Sequence, residues 1–241
     1  YKPGKLTIAT GQPAYEPWVM NDKPESGEGY EAAVAYAVAD KLGFKKSDVV
    51  WTRTAFDTAI APGAKDWDFN IQQFGITDER KKAVDFSSSY YNDSQSVVVK
   101  KDSKFANATK VSDLKDATVG VMVGTLAYDY AKANIKDDIQ TFNDDAALAQ
   151  ALDAGQIDVL VTSTVECVYM VQSEQVKDAK VLGRLPDSED KSGMGIVLPK
   201  DSKLTAAVTK AVDDLNADGT IKKLQDKWLA EYTTDLTELK K

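Results

Sequence analysis

Short apolar runs alternate along the chain with longer segments whose apolar residues recur at helical spacing, a pattern that predicts an α/β architecture. LTIAT at 6–10 reads as a strand, closed by the turn-forming Gly11, Gln12 and Pro13. Between 28 and 42, Tyr30, Val34, Ala37, Val38 and Leu42 recur at helical spacing, and Gly43 supplies the stop. DVVWTRT (48–54) predicts a second strand, and 56–60 a short helix ended by Pro62 and Gly63.

The pattern restarts with SVVVKK at 96–101, then ATVGVMVGT at 117–125, a strand running into a glycine turn before the helix 126–134. IQTF (139–142) is the next strand; Asn143 or Asp144 caps a helix that stops at Gly155. IDVLVT (157–162) follows, with Ser163 or Thr164 as the next cap, then the strand GMGIVLPK (193–200) and two closing helices, the second containing Trp228. Residues 100–192 thus form a β-α-β-α-β unit bracketed by strands at 96–101 and 193–200. Periodicity alone leaves two arrangements open: a domain inserted through two crossings that act as a hinge, or one continuous sheet.

Composition narrows the chemistry. The 241 residues contain 30 Lys plus Arg against 38 Asp plus Glu, a net charge of −8, with no His and a single Cys, Cys167. A Ser-His-Asp or Cys-His hydrolase needs an imidazole, zinc sites using His need the same ring, and one thiol makes neither a Cys₄ site nor an intrachain disulfide. The acidic balance argues against a nucleic-acid partner. A hydrophobic fraction of 43% is enough for a real core. No uncharged apolar run reaches the roughly 18 residues of a membrane span. The chain begins at Tyr1 without a charged-then-apolar leader, which reads as a mature or trimmed protein.

Seven segments, in order, resemble the bacterial extracellular solute-binding proteins of family 3, the polar amino-acid receptors of ABC importers: YEPWVMND (15–22), GEGYEAAVAYAVADKLG (27–43), FGITDERKKAVDFSSSYY (74–91), VGVMVGT (119–125), LDAGQIDVLVT (152–162), GMGIVLPKDSKL (193–204) and LNADGTIKKLQDKW (215–228). The chain is similar to that family over nearly its whole length. The divergences below also suit a member redesigned for a new ligand. The resemblance implies a two-lobed periplasmic-binding-protein-like fold of type II. Lobe 1 would comprise 1–98 plus 195–241 and lobe 2 residues 99–194, with hinge strands near 96–101 and 193–200 and a ligand cleft between the lobes. It implies a small-molecule ligand, a membrane permease as partner, no cofactor or metal, a monomer, and a periplasmic or extracellular location, with a lipid anchor on some full-length members.

Carried over by position, the resemblance makes Arg80, in Ile76-Thr77-Asp78-Glu79-Arg80, the carboxylate-binding residue; guanidinium stays charged and its forked donors match a carboxylate. Gly124 and Thr125 lie where a strand opens into a helix, whose free N–H groups suit an anion. Tyr15, Trp18 and Phe56 occupy aromatic places that pack on a ligand side chain. Gln12, Gln73, Phe74 and Gly75 complete the implied site.

The departures are as informative. Relatives that bind α-amino acids place an Asp where this chain has Ser163, and a neutral hydroxyl does not neutralise a buried ammonium. Leu126 replaces a hydroxyl donor, Gln73 and Gly75 (beside Gln72) stand where small Ser residues are usual, and Gln12 stands where receptors for basic amino acids have Asp. Either the ligand is not a plain α-amino acid, or Glu16, Asp57 or Glu166 supplies the missing charge. Two other functions fit the fold: a cyclohexadienyl dehydratase-like enzyme with Glu166 as general acid, and the ligand-binding domain of a sensory receptor. For Glu166 the plain alternative is a surface acid in a helix's first turn; for Cys167 it is a buried structural thiol.

Overall fold

The computed structural model describes residues 1–233 and 236–241. The chain divides into two compact units: Tyr1–Asn92 with Lys191–Ala230, and Asp93–Asp190 with Glu231–Lys241. Each unit has its own five-stranded mixed sheet, so the continuous-sheet reading does not hold.

In unit 1 the strands are β1 (Leu6–Thr10), β2 (Val49–Arg53), β3 (Phe69–Asn70), β4 (Val84–Tyr91) and β10 (Met194–Pro199), in the order β2-β1-β3-β10-β4. β1 is parallel to β2 and β3, while β10 runs antiparallel to β3 and β4. All five residues of β1 are buried, Thr7 and Thr10 included, as expected of an inner parallel strand covered on both faces. Helix α1 (Tyr30–Lys41) packs on α7 (Thr205–Ala217) and α8 (Thr220–Trp228). Its buried stripe contains Tyr30, Val34, Ala35 and Val38, and also a carboxylate, Glu31.

Unit 2 has β5 (Gln95–Lys100), β6 (Val119–Met122), β7 (Ile139–Phe142), β8 (Val159–Ser163) and β9 (Ala179–Arg184), in the order β7-β6-β8-β5-β9. The parallel strands β6, β7 and β8 are followed by helices α4 (Leu126–Asn134), α5 (Asp145–Asp153) and α6 (Thr164–Gln172). Alternate residues of β5 enter different cores: Val97 and Val99 join Leu114, Val121 and Val161, while Val98 joins Leu148, Leu152, Leu160 and Cys167. That is the two-residue period of a strand covered on both faces.

The expected lobe boundaries shift. Among the described residues β5 pairs within the second sheet, and β4 lies in the first, so the chain leaves unit 1 at 92–93 rather than 98–99 and returns at 190–191. A third passage lies at 230–231, beyond the two that the sequence predicts: Glu238 bridges to Arg184, Lys240 to Lys110, and Leu239 is buried in the unit 2 core. The C-terminal segment assigned to lobe 1 therefore belongs to unit 2. Strands β3, β4 and β9 and the short helix α3 (Asp78–Lys81) lie where the sequence pattern predicts no element. No helix among the described residues is long and apolar enough to cross a membrane.

Candidate ligand-binding site

In unit 1 the loops leaving the carboxyl ends of the parallel strands β1 and β3 carry most of the predicted residues, the end at which open α/β sheets bind ligands. The Thr77 hydroxyl caps α3 by accepting the Arg80 N–H at 3.1 Å, which fixes that residue's backbone. Its Nη1 donates to the Gly75 carbonyl at 2.6 Å, and the guanidinium carbon lies 5.5 Å from the centroid of the Phe56 ring. Phe56, at the start of α2 (Phe56–Ile60), stacks on Phe74 at 4.5 Å between centroids. The segment 74–76 is pinned to β10: the Gly195 amide donates to Phe74, and the Ile76 amide to Gly193. Arg80, Phe56, Phe74 and Gly75 are thus one cluster on a braced loop.

Gln73 adopts a left-handed backbone (φ 52°) and is held by Glu31. One Glu31 oxygen accepts the Gln73 N–H at 2.7 Å and the Tyr90 hydroxyl; the other accepts the Gln73 side-chain amide. Burial pushes the Glu31 carboxyl up to about 7, against the pull of those three donors. Gln12 is exposed and Tyr15 half-buried on the loop after β1. Trp18 differs from expectation: its ring is fully buried against Tyr30 and Tyr91, 6.0 and 5.5 Å away, as a core aromatic.

In unit 2 the carboxyl ends of β6, β7 and β8 carry three side-chain helix caps. Thr125 accepts the Tyr128 N–H at 3.2 Å and donates to the Met122 carbonyl, after Gly124 at φ 74°. Asp144 accepts from Ala147 at 2.8 Å. Ser163 accepts the Glu166 N–H at 3.4 Å, and the buried Asp93 carboxylate nearby accepts the Ser94 N–H at 2.7 Å and the Val165 N–H at 3.5 Å. Leu126 opens α4 with no hydroxyl to add. Glu166 is buried rather than a surface acid, and the Cys167 thiol is buried and pushed well above its ordinary value by that burial.

The sequence profile of the bacterial extracellular solute-binding proteins, family 3, matches residues 6–231. This chain belongs to that family. The solute-binding protein is 29% identical to an L-arginine-binding protein of Pseudomonas aeruginosa, over 95% of this chain and 88% of the relative. It is 29% identical to the L-cystine-binding protein TcyJ of Escherichia coli, over 91% and 81% respectively. Among solved structures, an ancestral arginine-binding protein bound to arginine superposes with a TM-score of 0.79 at 30% identity, covering 94% of this chain and 98% of that one. The periplasmic-binding-protein-like α/β fold is thereby shown, and these relatives are binding proteins rather than enzymes.

Two residues of the solute-binding protein escape sequence reading. Glu31 sits in an Ala-rich helix and meets partners 42 and 59 positions away. Asp93 precedes a strand and looks like an ordinary loop acid, although it is buried. Only the family likeness singles out Arg80 from a run of charged neighbours.

Proposed function

We propose that this solute-binding protein captures an L-α-amino acid, or a closely related carboxylate, and delivers it to the permease of an ABC importer. One observation carries the reading: Arg80 is held by the Gly75 carbonyl and the Phe56 ring on a loop tied to β10. A guanidinium so fixed loses little further entropy when its fork meets a carboxylate, a contact worth about 1.5–3 kcal/mol as a charge-assisted bond. The relatives named for arginine and cystine support an amino acid as the cargo. In this reading Tyr15, Phe56, Gly75, Arg80, Gly124, Thr125 and Ser163 contact the ligand, and those contacts favour the bound conformation. The protein works as a periplasmic or extracellular monomer, free or lipid-anchored.

Calorimetric titration with the twenty L-amino acids, L-cystine and their deaminated acids tests this. At least one amino acid binds, and Arg80→Ala weakens it by about 10- to 100-fold. Absence of binding across the panel, or binding indifferent to Arg80→Ala, overturns the proposal.

A further inference from the structure

In unit 1 the chain on either side of Gln73 is tied to different strands. Before it, the Ile71 amide donates to the Ala9 carbonyl of β1 at 3.1 Å. After it, the Gly195 amide donates to the Phe74 carbonyl at 3.0 Å and the Ile76 amide to the Gly193 carbonyl at 2.8 Å, with Gly75 bridged to Met194 of β10. The chain changes course between these anchors at Gln73, whose φ of 52° is left-handed. Any residue with a Cβ pays a steric cost in that region that glycine does not.

Glu31 of α1, fully buried, offsets this cost. One of its oxygens accepts the Gln73 N–H at 2.7 Å, and the other accepts the Gln73 side-chain amide. Backbone and side chain of Gln73 thus end on a single carboxylate. That carboxylate is itself held, because its first oxygen also accepts the Tyr90 hydroxyl of β4. Tyr30, the residue before Glu31, donates its own hydroxyl to the Tyr90 carbonyl at 2.5 Å. The acid is therefore locked between α1 and β4 on one side and grips the loop on the other.

On the reading of Arg80 as the carboxylate-binding residue, we propose that Glu31 is a positioning residue for ligand binding: by clamping Gln73 in the left-handed conformation, it places the Gly75 carbonyl that orients Arg80. That carbonyl accepts from Arg80 Nη1 at 2.6 Å, two residues beyond the clamp. A guanidinium fork tolerates little misalignment, since its hydrogen bonds to a carboxylate weaken together when the plane tilts. The same geometry gives Gln73 a different part from the one its place in the sequence implies. Its side-chain amide is committed to Glu31, so it serves the site through its backbone and not as a ligand contact.

The test is calorimetric affinity for the tightest-binding amino acid of the panel, with the melting temperature of each variant recorded in parallel. Gln73→Val and Gln73→Gly both delete the side-chain bond to Glu31 and differ in backbone preference: a β-branched residue resists the left-handed region, and glycine enters it freely. Gln73→Val binds about tenfold more weakly than Gln73→Gly. Equal affinities in the two variants overturn the proposal. Glu31→Ala weakens binding by about tenfold, and Glu31→Gln, whose amide keeps an acceptor for the Gln73 N–H, recovers most of that loss. In an Arg80→Ala background, Glu31→Ala costs no more than about twofold, because the residue through which it acts is gone. A merely structural role lowers the melting temperature but weakens binding by the same factor with and without Arg80; that result overturns the proposal and leaves amino-acid binding intact. If Glu31→Ala does not fold, the comparison of valine with glycine at 73 decides alone. Binding of no amino acid by wild type removes the functional reading and this one together.

Discussion

Glu31→Gln isolates the energetic cost of keeping a carboxylate inside unit 1. The folded carboxyl titrates at about 7 and its ordinary value is 4.5. Between these values the folded protein holds a proton that the unfolded chain has released, so stability falls as pH rises. The stabilisation from the raised value is fully present below about pH 4.5 and gone above about pH 7. At 1.36 kcal/mol per pH unit the difference is on the order of 3 kcal/mol. The glutamine side chain of the variant keeps an acceptor for the Gln73 amide and the Tyr90 hydroxyl, and an amide flip at Gln73 repairs the remaining contact. Asp93 and the other raised acids titrate equally in both proteins and cancel. Urea unfolding of both, followed by tryptophan fluorescence from about pH 4.5 to pH 8, should show the stability advantage of wild type over Glu31→Gln shrinking by that amount. Parallel curves would refute the reasoning, since they would mean that burial does not penalise the Glu31 charge.

Arg80→Lys should cost about tenfold or more in ligand affinity, because an ammonium lacks the planar fork, while the urea midpoint moves little. Gly29→Ala should destabilise by about 2–4 kcal/mol in the same unfolding assay: the backbone has φ 99°, and an added Cβ would lie 2.5 Å from the Trp18 carbonyl oxygen. Leu148→Ala, deleting a fully buried side chain packed with Leu152, Leu160 and Cys167, should cost about 2–5 kcal/mol. Thr125→Ala removes the cap on the Tyr128 amide and should cost about 1 kcal/mol, read as a small fall in melting temperature.

The periodic elements are legible because their signals are local. β1 is a short run of β-forming residues closed by a Gly-Gln-Pro turn, α5 has its Asp144 cap and its Gly155 stop, and β6 ends at a glycine turn. β3 carries no such signal: it has two residues and exists through pairing with β1 and β10. β4 is hidden by three serines, of which Ser87 is buried and accepts the Ile196 amide where the β10 pairing is irregular. The same limit applies to the site. Arg80 emerges from its position in a segment, but whether Trp18 faces a ligand or a core depends on Tyr30 and Tyr91, which are 12 and 73 residues downstream. Glu31 and Asp93 act through partners that only folding brings near.

The order of strands in unit 1 also sets a timetable for synthesis. β10 lies between β3 and β4, yet about a hundred residues separate it from β4 along the chain. A nascent chain that has emerged through residue 92 therefore holds a sheet with a vacant inner place, and β4 has no neighbour to pair with. Residues 93–190, by contrast, bring all five strands of their own sheet. Domains made first usually fold first during translation; here the later-made unit can complete its sheet while the earlier one waits. Through that interval the unpaired backbone edges of β3 and β4 are open to aggregation, and chaperone binding to a stalled nascent chain should be strongest before residue 199 emerges.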